Sequence, residues 1–169
     1  MINIVLYEPE IPENTGNIMR TCVATNAKLH LIEPFGFIFD ENHLKRSGAN
    51  YIDKVDYEIY LDYNDFLEKN NGEFYYFTRY GTKAYSDVNF SNSNENIYLI
   101  FGKESTGIPK KILHNNLDKC YRIPTSGDVR ALNLSNCVAI VTYEVLRQQD
   151  FPNLLFSDPF KGKDYLKIE

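Results

Sequence analysis

Positive charge, cysteine and long apolar runs are all scarce in this 169-residue sequence. No apolar stretch approaches the roughly 20 residues that a membrane-spanning helix needs, which excludes a helical membrane protein. The opening residues Met1-Ile2-Asn3-Ile4-Val5-Leu6-Tyr7 carry no basic stretch and no small-residue cleavage site. They read as a first β-strand, not as a signal peptide. The three cysteines, Cys22, Cys120 and Cys137, contain no Cys-x-x-Cys pair, which argues against a disulfide framework and a zinc site and fits a reducing cytoplasm. The histidines His30, His43 and His114 are equally scattered. Nothing around them has the spacing of metal ligands, so no metal is expected. Eighteen Lys and Arg against 23 Asp and Glu give a net charge of −5, a sum that speaks against a nucleic-acid binder.

The distribution of charge is more informative than its sum. Residues 51–100 hold nine acids against four bases, whereas residues 101–130 hold six bases against three acids. Lys103, Lys110, Lys111, Lys119, Arg122 and Arg130 therefore crowd one segment. They are either a local basic face on an acidic protein or a set of solvated surface side chains. A chain of 19.7 kDa with 43% apolar and 24% charged residues has the size and composition of one globular domain. The expectation is a single domain over residues 1–155 and a tail over 156–169.

Short strand-like runs alternate with helical segments. Ile2–Tyr7, Leu29–Ile32, Val55–Tyr60, Phe74–Thr78, Ile97–Phe101 and Tyr121–Pro124 read as strands. A first helix is expected from Asn14, which can cap it, to about Asn26, with Ile18 and Cys22, then Met19 and Val23, on one face. Shorter helices are expected around Glu41–Arg46, over Tyr63–Lys69 and over Pro109–His114. The clearest helix is Leu134–Gln149, whose apolar stripe runs through Leu134, Cys137, Val138, Val141 and Val145. Asn133, Ser135 and Asn136 are its candidate caps. Alternation of this kind gives the α/β class with a mainly parallel sheet and helices on both faces. Ligands of such sheets bind beyond the carboxyl ends of the strands, which directs attention to the loops after Tyr7, Thr78, Phe101 and Pro124.

Three of these loops are distinctive. Gly102-Lys103-Glu104-Ser105-Thr106-Gly107-Ile108-Pro109 is not a phosphate-binding loop, because Ile97 stands where that motif needs its first glycine. It is either a plain tight turn or a loop whose exposed amides and carbonyls grip a nucleoside. The second loop runs from Arg122-Ile123-Pro124 to Arg130-Ala131-Leu132-Asn133-Leu134-Ser135-Asn136. The third is Glu10-Ile11-Pro12-Glu13-Asn14-Thr15-Gly16-Asn17-Ile18-Met19-Arg20.

Taken together, Asn14-x-Gly16-Asn17-x-x-Arg20, Phe101-Gly102-x-Glu104-x-x-Gly107-x-Pro109 and Ile123-Pro124 with Arg130-x-Leu132-Asn133-Leu134-Ser135-Asn136 resemble the three motifs of the SPOUT RNA methyltransferases. The opening Asn3 to Pro12, Leu29-His30-Leu31-Ile32-Glu33-Pro34 and Lys45-Arg46-Ser47-Gly48 are similar to the small YibK/TrmL-type tRNA 2′-O-methyltransferases, which act on the wobble nucleotide. The resemblance spans about residues 1–150. Ala131 departs from it, since many relatives have serine there, and Lys103 replaces a common proline.

The resemblance implies a deep trefoil knot near the C-terminus, a homodimer, a cytoplasmic location and S-adenosylmethionine as methyl donor for a ribose 2′-hydroxyl of tRNA. It assigns Phe77, Thr78, Gly102, Glu104, Gly107, Ile123, Ala131, Leu132 and Asn133 to the cofactor. Arg20, Asn14 and Tyr143 become the catalytic candidates, and Arg130, Lys45 and Arg46 the RNA-facing ones. Tyr143 lies partly off the helix stripe, so it is either a core tyrosine with a satisfied hydroxyl or a site residue. Apolar Ala139, Ile140 and Leu146, also off that stripe, suggest surface to spare for a second copy. The other readings are methylation of a different tRNA or ribosomal RNA nucleotide, and a knotted RNA-binding protein without activity.

Overall fold

The β-branched and aromatic runs form the strands β1 Ile2–Tyr7, β2 Lys28–Ile32, β3 Tyr57–Tyr60, β4 Glu73–Phe77, β5 Lys83–Ala84, β6 Ile97–Phe101 and β7 Cys120–Arg122. The computed structural model describes residues 1–40, 44–45, 51–92 and 94–167. The strands make one sheet in the order β3-β2-β1-β6-β4-β7-β5, and each neighbouring pair is parallel. Such strands are covered on both faces, so they read as unbroken apolar runs and not as alternation. All five residues of β6 are buried accordingly.

Among the described residues the helices with full bounds are α1 Pro12–Thr25, α2 Tyr63–Lys69, α3 Lys110–His114 and α4 Leu134–Gln148, and they cover the sheet. On one face, Ile18, Met19 and Cys22 of α1 and Val138, Val141 and Val145 of α4 join a core with Ile4, Leu6, Leu29, Leu31, Leu99 and Phe101. On the other, Phe66 of α2 and Leu113 of α3 pack with Val5, Ile32, Tyr60, Tyr76, Tyr98 and Ile100. Neighbours on β1 thus serve opposite layers, as the two-residue strand period requires. Full burial of such a side chain is worth about 1.5–3 kcal/mol.

Several boundaries differ from the sequence expectation for identifiable reasons. Helix α1 begins at Pro12, whose missing amide costs nothing in the first turn. Its N-cap is Ile11, without a side-chain cap. Asn14 is therefore inside the helix and caps nothing. Strand β7 stops at Arg122, which frees Ile123 and Pro124 for the loop beyond. The two-residue β5 carries too little pattern to be seen in advance. Of the expected helix at Glu41–Arg46, Leu44 and Lys45 are helical and the rest lies outside the described residues. Leu146 is 2% exposed in the chain's own core, so it offers no surface to a second copy. Phe151 and Leu154, at the end of the expected domain, pack against the core, while Phe156, Phe160 and Leu166 beyond them are exposed.

A small polar cluster sits inside the sheet. The buried His30 ring meets Asn3 Oδ1 through Nε2 at 3.0 Å and Tyr60 Oη through Nδ1 at 2.7 Å. Asn3 Nδ2 donates to the carbonyls of Met1 and Ile97, so its Oδ1 accepts from His30. Burial first, then the nearby Lys28 charge, lowers the His30 pKa to about 4.

Candidate active site

Beyond the carboxyl ends of β1, β4, β6 and β7, four loops and the start of α4 enclose a cavity of about 430 Å³. That is the size of a small-molecule pocket. Phe77 and Thr78 come from the end of β4, Gly102 to Ile108 from the loop after β6, and Arg122 and Ile123 from β7 and its exit. Residues 130–134 close the remaining side.

The loop after β6 folds tightly back on itself. A Cβ on Gly102 would lie 2.2 Å from the carbonyl carbon of Gly107 and from the amide nitrogen of Ile108. No other residue fits. Gly107 itself has φ +75°, in the left-handed region that favours glycine, and its amide donates to the Lys103 carbonyl at 2.8 Å.

Reciprocal carboxylates tie this loop to the one after β1. Glu104 Oε2 accepts the amide of Glu10 at 2.8 Å, and its Oε1 accepts the amide of Ile11 at 3.2 Å and Asn14 Nδ2 at 3.0 Å. In return, the Glu10 carboxylate accepts the amide and the hydroxyl of Ser105, both at 2.8 Å. The Ser105 amide, then its hydroxyl, lowers the Glu10 pKa. Lys103 Nζ lies 2.6 Å from Glu8 Oε2, a bond that raises the lysine pKa. The third loop joins through Asn133, whose Nδ2 donates to Asn14 Oδ1 at 2.9 Å. Asn133 also caps α4, its Oδ1 accepting from the Ser135 amide at 2.9 Å and the Ser135 hydroxyl at 2.7 Å. Asn14, Glu104 and Asn133 are thus one hydrogen-bonded chain across all three loops.

All nine residues that the resemblance assigns to the cofactor line this cavity, as do Asn14 and Arg130. The carboxylate of Glu104, however, is occupied by the loop after β1, so its contribution to the wall is positional. Arg20 is exposed on α1, its guanidinium 5.3 Å from the centre of the Tyr51 ring, away from the cavity. Tyr143 is 46% exposed and lies with Ala24, Asn26 and Phe151 along a different groove. Lys45 forms a 3.0 Å ion pair with Asp53, and Arg46 lies outside the described residues. Among the described residues, no three His, Cys, Asp or Glu side chains gather as metal ligands.

Sequence reasoning missed Arg79 and Tyr80 in the cavity wall and gave Arg122, which also lines it, no role there. It had flagged the loop after Thr78 without weighing its side chains. It also missed Glu8 and Glu10 as clasp residues, because their partners lie 95 positions away.

A match to the SpoU rRNA Methylase family covers residues 1–143. The chain belongs to this family. The tRNA (cytidine(34)-2′-O)-methyltransferase of Escherichia coli strain K12 is 43% identical over 160 residues, covering 94% of this chain and all of that protein. A crystal structure of a Bacillus anthracis protein, 48% identical, superposes with a TM-score of 0.88 over 91% of this chain and 98% of the other. A second, described as giving structural insight into 2′-OH methylation of C/U34 on tRNA, is 38% identical with a TM-score of 0.81, covering 89% of this chain and 97% of that one.

The cavity has the chemistry of a site for a small molecule with polar and apolar parts. Its wall mixes apolar Ile108, Ile123 and Leu132 with loop backbone. The buried Arg122 Nε has no hydrogen-bond partner among the described residues. Such an unsatisfied donor costs about 1–3 kcal/mol until an acceptor reaches it, and a polar ligand group in the cavity would supply one.

Proposed function

We propose that this SpoU methylase transfers the methyl group of S-adenosylmethionine to the ribose 2′-hydroxyl of the wobble nucleotide, position 34, of tRNA in the cytoplasm. The observation that carries the reading is the convergence of three separate motif loops on one cavity through the Asn14, Glu104 and Asn133 chain. The identity to the Escherichia coli enzyme along almost the whole chain supports it.

S-adenosylmethionine supplies an electrophilic methyl group that is reactive without further activation. Phe77, Thr78, Gly102, Gly107, Ile123 and Leu132 are the residues that would hold it, largely through backbone and apolar contact, with Ala131 adding no hydroxyl. The clasp between Glu10, Ser105 and Glu104 keeps the two principal loops in register, so that binding does not have to pay for ordering them. Holding the reactants aligned is worth several kcal/mol of barrier, out of about 7–11 for well-oriented reactions.

Arg20 acts on the acceptor. A guanidinium beside the ribose holds the adjacent phosphate through its planar fork and stabilises the oxyanion that develops as the hydroxyl loses its proton. Arg20 and Tyr143 lie outside the cavity of their own chain. A homodimer whose second copy presents them to the site reconciles their position with the catalytic role, and the threaded C-terminal knot is part of the same reading. Sedimentation should give twice 19.7 kDa; a monomer at micromolar concentration would sink the dimer.

The decisive measurement is mass spectrometry of tRNA nucleosides after incubation with the purified protein and S-adenosylmethionine. A 2′-O-methyl at position 34 is expected, and an unchanged profile overturns the function. Arg20→Lys should lose most of the rate while keeping its affinity for S-adenosylhomocysteine, because a point charge cannot replace the fork. A normal rate in Arg20→Ala would make that arginine structural.

A further inference from the structure

The rim of the cavity is charged opposite to the protein as a whole. Lys103 is neutralised by Glu8 and Glu104 is engaged by amides, which leaves Arg79, Arg122 with its buried Nε, and the exposed Arg130 as cations lining the cavity of a chain whose net charge is −5. Between the arginines stands Tyr80, 64% exposed. The Arg79 guanidinium carbon lies 4.6 Å from the centre of its ring, and Arg79 also donates to its hydroxyl. A large aromatic ring kept in solvent at the mouth of a cavity is poorly explained by folding, since burial would stabilise it.

The segment that carries Tyr80 is held in a tight turn. The Thr78 amide donates to the Tyr121 carbonyl at 2.8 Å, the Gly81 amide to the Thr78 carbonyl at 3.1 Å, and the Tyr80 amide to Thr78 Oγ1 at 3.3 Å. Gly81 is required there, because a Cβ would come within 2.5 Å of the Tyr121 backbone. The ring is thus displayed from an anchored turn and needs little ordering to receive a flat ligand. Arg79, then Arg130, lowers the Tyr80 pKa, which places both cations around its hydroxyl.

We propose that Tyr80 is a stacking platform for a base of the RNA beside the nucleotide being methylated, with Arg79 and Arg130 holding the phosphates that flank that base. Aromatic rings interleaved with cations are how proteins grip unpaired RNA strands, the ring taking the base face and the cations the backbone. An anticodon loop presents such unpaired bases. The assignment rests on the tRNA methyltransferase reading, and it explains how a chain of net charge −5 engages a polyanionic substrate.

Binding of an anticodon stem-loop RNA, titrated at several salt concentrations, tests this alongside calorimetry with S-adenosylhomocysteine. Tyr80→Ala should weaken RNA binding about tenfold with an unchanged salt slope. Tyr80→Phe should restore it, and both should bind S-adenosylhomocysteine as wild type does. Arg79→Ala should reduce the salt slope by about one. Unchanged RNA binding in Tyr80→Ala, a Tyr80→Phe loss as large as that of Tyr80→Ala, or a parallel loss of S-adenosylhomocysteine affinity would each overturn the platform. A wild-type protein that binds the stem-loop through Tyr80 yet leaves position 34 unmethylated would remove the proposed reaction and keep the platform.

Discussion

The molecule contains two asparagine-centred polar networks, and they do different things. Asn3, His30 and Tyr60 form one inside the sheet; Asn14, Glu104 and Asn133 form the other at the strand tips. The first is centred on a neutral, buried ring, His30 being 1% exposed, and it reaches charge only at its edge, where Tyr60 meets Glu58. The second is built on a carboxylate, borders a cavity and joins three loops that local structure alone would leave independent. A buried neutral network contributes stability and a unique packing arrangement. The charged network at the tips instead stabilises the shape of a site, so the two should separate when each is damaged.

The largest separation is expected from Glu104→Ala. It strands the amides of Glu10 and Ile11 and the Asn14 side chain, a cost of about 3 kcal/mol in urea unfolding, and S-adenosylhomocysteine binding should fall with it. Retention of wild-type stability and affinity would show that the loops hold without the clasp. Acid should strike the other network. His30 has its pKa depressed in the folded state, so below about pH 6.5 the unfolded chain takes up a proton that the native chain refuses. Stability contributed by the neutral ring is therefore complete above that pH and falls until about pH 4, by about 3 kcal/mol. Urea midpoints at pH 7 and pH 4.5, compared between wild type and His30→Gln, measure it; an equal pH slope in both would refute the assignment.

Smaller changes sharpen the contrast. Tyr60→Phe removes the hydroxyl that His30 Nδ1 accepts from and should cost about 1–2 kcal/mol without altering ligand affinity. A matching loss of affinity would mean that the two networks communicate. Ser105→Ala removes one of the two donors to Glu10 and keeps the amide, so its cost should be about 0.5–1 kcal/mol, read as a small shift in thermal midpoint.

The two networks also differ in how far the sequence revealed them. The strands β1, β2, β4 and β6 were visible because parallel strands buried on both faces are written as short apolar runs, and α4 because its stripe keeps one period for four turns. The loops of the site were visible through their Gly, Pro and Asn content. What joins them was not, because Glu10 and Ser105 meet across 95 positions and no local pattern records such a distance. Asn14 looked like a cap since caps are what asparagines before helices usually provide; Pro12 had already begun the helix. The apparent basic cluster of residues 103–130 dispersed for a related reason. Lys103 and Lys119 lie in ion pairs with Glu8 and Glu73, while the cations that remain at the cavity include Arg79 from another segment. Arg20 and Tyr143 lie outside the cavity that the motif loops of a single copy form.

The position of β1 in the sheet has a consequence for biosynthesis. β1, made before the other strands of this sheet, is flanked by β2 on one edge and by β6 on the other, and the partner of Leu6 on that second edge is Phe101. At ordinary translation speeds the second neighbour appears roughly 5–20 s after the first strand. For that interval an apolar strand has one open edge, the condition under which nascent chains pair wrongly or recruit chaperones. The high sequence separation of these pairings also makes the folding of this family slow relative to helical proteins of its size.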